Sequence, residues 1–366
     1  MVSLSPAATV PALAEALASR TTRPWTVMEV CGGQTHSILR WGIDQLLPRE
    51  LRLIHGPGCP VCVTPAATLD QAMALAQQPG VILCTYGDML RVPGTQEGMD
   101  LLEVRARGGE VRLLMSPTEA LDLARGAPER QVVFLAVGFE TTAPATALLA
   151  RQARALGMTN LSLLTAHVRV APAMETILAD PANQVEAFLA AGHVCSVIGT
   201  AELEELVGRF QVPVVVTGFE PEDLMAGLVR AVELLEAGRP QLANAYRRVV
   251  RAEGNPAALA LLQEVFAPVD QHWRGLGMIA AGGLALRPPY DTLDARRRFG
   301  LPEVAMGSEP GCASCGGRCI SGEVLQGRAT PEQCPSFGDA CTPEHPLGAP
   351  MVSSEGACAA WYRYRR

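Results

Sequence analysis

The chain has 366 residues, 48% of them hydrophobic, a formal net charge of −7 and a pI near 5.5. That length can bury more than one core, while the acidic balance argues against a nucleic-acid partner, which calls for a basic surface. No stretch reaches the ~18 uninterrupted apolar residues of a membrane span, so no membrane role is expected.

The opening residues, MVSLSPAATVPALAEALASR, lack a basic segment, and Pro6, Pro11 and Glu15 interrupt the apolar stretch. They read as an N-terminal helix and not as a signal peptide. Short β-branched runs then alternate with amphipathic segments up to about residue 240. Strands are expected at residues 26–30, 51–55, 81–85, 111–115, 132–137, 161–165, 195–198 and 213–217. Helical periodicity marks residues 66–77, 117–124, 143–156, 201–210 and 222–236. The rhythm is that of βαβ units with buried parallel strands, an α/β fold. Eight strands in one sheet would satisfy it, but VVFLAVGFETTAP and VPVVVTGFEPED echo each other as strand, Gly-Phe-Glu and helix start. The echo favours two similar domains with small parallel sheets, divided near residues 120 and 240. Two helices, about 241–253 and 256–266, then lead into a Gly/Pro-rich tail too poor in apolar pattern to fold without an organiser.

That tail carries six of the chain's eleven cysteines, as Cys312-x2-Cys315-x3-Cys319-x14-Cys334-x6-Cys341-x16-Cys358. Thiolates this dense among glycines and prolines suggest a soft-metal site: an iron–sulfur cluster, a zinc knot or a set of disulfides. Cytoplasm is the default setting, and its reducing conditions disfavour six structural disulfides. The spacing does not match the bacterial ferredoxin pattern C-x2-C-x2-C-x3-C-P. It reverses the C-x3-C-x2-C of radical enzymes, and the chain's two C-x2-C knuckles, Cys59/Cys62 and Cys312/Cys315, are too far apart for a zinc ribbon.

Two further cysteine sites end expected strands, where open α/β sheets bind ligands. In MEVCGGQTH, Cys31 precedes Gly32-Gly33 and a helix start, a position that favours thiolate. The glycines let backbone approach a bound group, and His36 is placed as a proton carrier. The bland reading is a core cysteine beside a βα turn. In HGPGCPVC, Cys59 and Cys62 form a C-x-x-C between a strand and a following helix, a redox pair, a zinc half-site or a structural feature. Glu140, in GFETT, projects from a strand tip, with Thr141 or Thr142 placed to cap the next helix. His167 and residues 85–88 join the same rim. His193, in GHVCSVIG, reads as a structural histidine, and Cys84 and Cys195 as buried thiols.

Together MEVCGGQTH, HGPGCPVCVTP, TYGDMLRVPG, VGFETTAP, GHVCSVIG and CPSFGDACTPEHPLGAPMVSSEGACAAWY closely resemble the HypD family of hydrogenase maturation factors, in order from about residue 25 to the end. The resemblance implies a scaffold on which the iron of [NiFe]-hydrogenase receives two cyanides and one carbon monoxide. It implies work with the chaperone HypC and cyanide from HypE, loaded by HypF. It implies two α/β domains, at 25–120 and 121–240, and a cysteine-rich iron–sulfur domain formed by the chain ends, 1–24 and 241–366. Carried over by residue, Cys31 becomes an Fe(II) ligand shared with the chaperone, and Cys59 and Cys62 a thiol pair. Cys312, Cys319, Cys334 and Cys341 become ligands of a [4Fe–4S] cluster, leaving Cys315 and Cys358 as thiol relay partners. Many members read CGGHTH where this chain has Gln34, which leaves proton transfer to His36. Some carry a cysteine where Pro350 stands.

The expectation is a cytoplasmic scaffold and redox protein, with the cluster feeding electrons to Cys59 and Cys62 and Glu140 and His36 handling protons or orienting ligands. The rivals are an iron–sulfur-dependent disulfide reductase and a zinc-organised binding protein.

Overall fold

Runs of consecutive β-branched and aliphatic residues set the strands in this computed structural model, which describes residues 9–302 and 317–365. Eleven strands occur among the described residues: β1 (Trp25–Glu29), β2 (Leu51–His55), β3 (Val81–Thr85), β4 (Val111–Leu113), β5 (Gln131–Gly138), β6 (Leu161–Val168), β7 (Ala187–Ala191), β8 (Val214–Thr217), β9 (Leu242–Asn244), β10 (Phe266–Trp273) and β11 (Gly277–Leu286). They form two sheets, of five strands in the order β2-β1-β7-β8-β9 and of six in the order β10-β11-β6-β5-β3-β4. Pairing is parallel throughout except for the β10–β11 hairpin and its junction with β6. Helices cover the sheets, so central strands such as β5 and β6 are buried nearly end to end and read as unbroken apolar runs.

The α/β class and the parallel, helix-flanked sheets match expectation; the partition of the chain does not. Residues near 120 separate β4 from β5, yet both strands belong to the six-stranded sheet, while β1 and β2 pair with β7 to β9. The chain crosses from one sheet to the other after β2, returns after β6 and crosses again to β10. The expected boundaries therefore cut through sheets. The N-terminal segment also departs from expectation. Its helix Val10–Arg20 buries Leu13 and Leu17 in one cluster with Leu224 and Leu228 of the helix Pro221–Glu236, on the five-stranded sheet and not in the tail.

Three local expectations change as well. Residues 195–198 are the end of a helix, Gly192–Ile198, and the strand is the preceding alanine-rich run β7. Short apolar runs do not distinguish the two states by periodicity. The expected helix at 241–253 is β9 and a series of turns, and β10–β11 was not expected because MIAAGGLAL lacks alternation. Among the described residues no helix is long and apolar enough to cross a membrane.

The tail is built from one-turn elements and ends in the helix Ala357–Arg365, which packs on the helix Gly32–Trp41. One apolar cluster, running between the sheets, contains Cys31, Cys59, Cys62, Phe139, Cys195 and Trp273.

Candidate functional site

In the five-stranded sheet the chain runs outward in opposite directions from β1 and β7, so the crevice between their carboxyl ends is a switch point, where open α/β sheets bind ligands. Cys31 follows β1 and His193 follows β7. The Cys31 sulfur lies 3.8 Å from His193 Nδ1 and 3.9 Å from Nε2. The imidazole stacks on Phe219, which follows β8, with ring centroids 4.9 Å apart and planes 22° apart.

Beneath the sulfur is a fully buried carboxylate. Glu29 accepts hydrogen bonds from the Cys31 backbone N–H (2.8 Å), the Thr35 hydroxyl and His55 Nδ1 (2.7 Å). Burial pushes the Cys31 thiol well above its ordinary value, the Glu29 charge adds to that, and the Gln34 and Gly33 N–H groups pull the other way. The expected preference for thiolate at this helix start is thus reversed. Desolvation and a neighbouring carboxylate outweigh the backbone N–H groups, so without a bound cation the group is a thiol.

The loop after β2 sits directly on this strand end. The Gly32 N–H donates to Gly58 O (2.8 Å), and a Cβ on Gly58 would lie 2.3 Å from Cys31 N. Only glycine permits that approach. Cys59 and Cys62 are joined in a disulfide at the start of the helix Pro60–Val63, and both are buried. On the other side of Gly32 stands the tail, since a Cβ there would lie 2.5 Å from Glu355 Cβ.

His36 turns away from the sulfur. Its Nδ1 is 3.3 Å from Ser354 O, and the Tyr364 hydroxyl is 3.2 Å from Nε2. It ties the helix Gly32–Trp41 to the tail, which removes the support for a proton carrier beside Cys31. Gln34 is buried and donates through Nε2 to Ala190 O (3.2 Å) and Thr217 O (3.3 Å), joining the ends of β7 and β8.

Glu140 follows β5 at the corresponding switch point of the second sheet, where β3 and β5 diverge. It is 3% exposed and accepts from the Val170 N–H (3.0 Å) through Oε1, while Oε2 meets no hydrogen-bond partner among the described residues. Burial pushes its carboxyl up to about 7. Its charge also adds to the burial that raises the Cys195 thiol to about 12. The threonines do not cap the next helix: the Thr142 hydroxyl donates to Phe139 O (3.2 Å). His167 is a structural histidine, its Nε2 3.0 Å from the Thr146 hydroxyl, with burial holding its pKa down near 4.

The raised carboxyl gives a testable pH dependence. Glu140 prefers its proton in the folded state, so its stabilising contribution is fully present below about 4.5 and is lost as pH rises through about 7. Glu140→Gln, neutral at every pH, is expected to be more stable than the parent by roughly 3 kcal/mol at pH 8 and equal to it near pH 4.5. Urea unfolding at the two pH values checks this, and a pH-independent difference would refute the buried-acid assignment.

In the tail, Cys319, Cys334, Cys341 and Cys358 line one cavity with Pro350 and Met351. A Cβ on Gly348 would lie 2.8 Å from the Cys319 sulfur, and the Leu347 N–H donates to the Cys341 sulfur (3.4 Å). The Cys358 thiol is raised well above its ordinary value by burial and by the charges of Cys319, Cys341 and Cys334. Four sulfurs facing one cavity are a donor set of the kind that holds iron–sulfur clusters. Among the described residues no three His, Cys, Asp or Glu side chains are set to grip a single metal ion. Cys312 and Cys315 lie outside the described residues.

Comparison with known proteins places nearly the whole chain in one family. A family profile described as "HypD: Hydrogenase formation hypA family" matches residues 8–365. The chain belongs to the HypD family. It is 46% identical over 345 residues to the hydrogenase maturation factor HypD of Escherichia coli, covering 94% of this chain and 90% of the relative. It is 47% identical over 350 residues to the hydrogenase maturation factor HypD of Azotobacter vinelandii, with the same coverage. With that of Rhodobacter capsulatus it shares 42% over 357 residues, covering 96% of this chain and 92% of the relative.

Within this HypD-family chain, sequence reasoning placed Cys31, the C-x-x-C pair and Glu140 at strand ends. It passed over Glu29 and read His193 as structural, although both stand at the centre of the site. Glu29 had a signal, a carboxylate inside the apolar strand WTVMEV. His193 had none locally, since its contact with Cys31 spans 162 positions.

Proposed function

We propose that this chain is the scaffold on which an Fe(CN)2CO unit for [NiFe]-hydrogenase is assembled, with Cys31 as the iron thiolate, in the cytoplasm. The observation that carries the reading is the Cys59–Cys62 disulfide loop seated on the backbone of Cys31 at a switch point, with the thiol-rich tail packed on the same helix. Iron, cyanide and carbon monoxide are substrates here. Cys31 leaves most iron positions open for them and for a thiolate from a HypC-type chaperone, while a HypE-type protein supplies cyanide.

The tail sulfurs fit a [4Fe–4S] cluster: Cys319, Cys334 and Cys341 are three of the four proposed ligands and face one cavity. Cys312 is proposed as the fourth, with Cys315 and Cys358 as neighbouring relay thiols. Such a cluster supplies electrons one at a time. The Cys59–Cys62 disulfide takes up two electrons and two protons as its S–S bond breaks and two thiols form. Glu140, buried and titrating near neutrality, is a candidate proton store for this chemistry.

Infrared spectroscopy of protein purified without oxygen together with its chaperone tests the proposal. Bands of metal-bound cyanide and carbon monoxide are expected. A chain that carries its cluster and cycles Cys59 and Cys62 but never shows those bands would be a disulfide reductase instead.

A further inference from the structure

We propose that the tip of the β10–β11 hairpin, Trp273–Leu276, is a redox-sensitive link that ties the tail to the Cys59–Cys62 helix and releases it when the disulfide is reduced. This inference rests on the reading of Cys59 and Cys62 as a pair that cycles between disulfide and dithiol.

The tip is clamped on both sides. The Arg274 N–H donates to the carbonyl of Val63 (2.8 Å), the residue directly after Cys62. Arg274 is 3% exposed, and its guanidinium donates to Pro93 O (2.7 Å). Trp273, fully buried in one apolar cluster with Cys59, Cys62 and Leu325, donates through Nε1 to Gly282 O (3.0 Å). On the far side Gly275 has φ +81°, and a Cβ there would lie 2.8 Å from Gly322 Cα. The Gln326 side-chain amide donates to Gly275 O (2.7 Å). Gly322 lies in the helix Ser321–Leu325, which starts two residues after Cys319. The path from Cys62 through Val63, Arg274, Gly275 and Gly322 toward Cys319 thus runs over main-chain contacts. No rotamer change absorbs a displacement along it.

The two-state element is the S–S bond. Pro60–Val63 is a helix of a single turn, and so short a turn is unstable alone, because it fixes more dihedrals than its one hydrogen bond offsets. The disulfide closes it, and the Cys62 N–H donates to the Cys59 sulfur (3.2 Å). The Thr64 hydroxyl, donating to Pro60 O (2.9 Å), is a tie that persists after reduction. Reduction adds two electrons and two protons, breaks the S–S bond and leaves two thiols. The turn then loosens, and Val63 O, at its end, withdraws from Arg274. The oxidised pair holds the tail sulfurs close, and the reduced pair lets them go. The same helix also packs on the one-turn element Ala349–Met351 of the tail, so variants at the tip are needed to separate the two routes.

Hydrogen exchange read by mass spectrometry, on the full-length protein without oxygen before and after dithiothreitol, tests the link. Dithiothreitol supplies the two electrons and two protons and closes to its own ring disulfide. Amide exchange at Arg274 and over residues 321–327 is expected to speed up by about tenfold, the scale of one lost backbone hydrogen bond, while β5 stays protected. Gly275→Ala forces the tip off Gly322, so residues 321–327 should exchange fast in both states while Arg274 still responds. Gln326→Ala, which disturbs no backbone contact, should lessen the tail's response and serves where the glycine variant does not fold. If alkylation shows the pair reduced while residues 321–327 exchange as before, or if β5 speeds up equally, the link is overturned and the cycling pair stands. A tail that responds in both variants as in the parent overturns it too. If alkylation shows the pair unreduced at every dithiothreitol concentration, the reading beneath the inference fails.

Discussion

Cys31→Ala is expected to abolish hydrogenase maturation in a host lacking its own copy of this factor, while leaving the absorbance and iron content of the proposed tail cluster unchanged. The sulfur is the atom to which the proposed iron binds, and no other thiol in the described structure occupies that switch point. The substitution removes one atom from a residue 2% exposed, a change whose stability cost is on the order of 1 kcal/mol. The tail touches the same helix through Glu355 and through the helix Ala357–Arg365. Cluster loss would therefore report that packing had failed and not that a ligand was gone. Cys31→Ser separates the cases further, because a hydroxyl keeps the volume but is a poor donor for soft metals. Maturation retained at even a tenth of the parent level in either variant would rule out Cys31 as the iron thiolate. Equal loss of maturation and cluster would make it structural.

Much of the fold was legible because parallel strands buried on both faces leave unbroken apolar runs, and β2, β3 and β6 begin where those runs begin. The placement of Cys31, Cys59 and Glu140 followed from the same logic, since each comes directly after such a run or its turn. Pairing was not legible. Besides β2, β1 pairs with β7, more than 150 residues away, and hydrophobic periodicity records which face of an element is buried but not against what. For that reason the echo at Gly138 and Gly218 suggested two successive domains although the sheets interleave. It is a local likeness: β5 borders the first strand of its sheet, while β8 lies one strand further out.

His36 shows the same limit on a smaller scale. It is five positions beyond Cys31, which is near in sequence, but at 3.6 residues per turn five positions carry a side chain about 140° around the helix. The ring consequently faces Tyr364 and Ser354 in the tail. His193, distant in sequence, takes the place beside the sulfur that proximity had assigned to His36.

Gly58→Ala is expected to be the most disruptive single-methyl change near the site. A Cβ at this position would lie 2.3, 2.4 and 2.6 Å from the N, Cα and carbonyl carbon of Cys31. These are backbone atoms fixed by β1 and by the Glu29 carboxylate, which holds the Cys31 N–H at 2.8 Å. No rotamer change relieves the overlap, so the loop must lift, breaking the Gly32 N–H to Gly58 O bond and carrying Cys59 and Cys62 away from Cys31. Overpacking of this kind costs about 1–3 kcal/mol. Gly87→Ala is the control, because nothing lies within 4 Å of a Cβ there and its cost should stay within about 0.5 kcal/mol. Urea unfolding gives the stabilities. Alkylation followed by mass spectrometry reports whether the Cys59–Cys62 disulfide still forms, as its short local loop predicts. The expected pattern is a formed disulfide, a destabilised chain and lost maturation, because the pair no longer reaches the proposed iron position at Cys31. If Gly58→Ala matches Gly87→Ala in both stability and maturation, the redox pair does not work through close contact with Cys31.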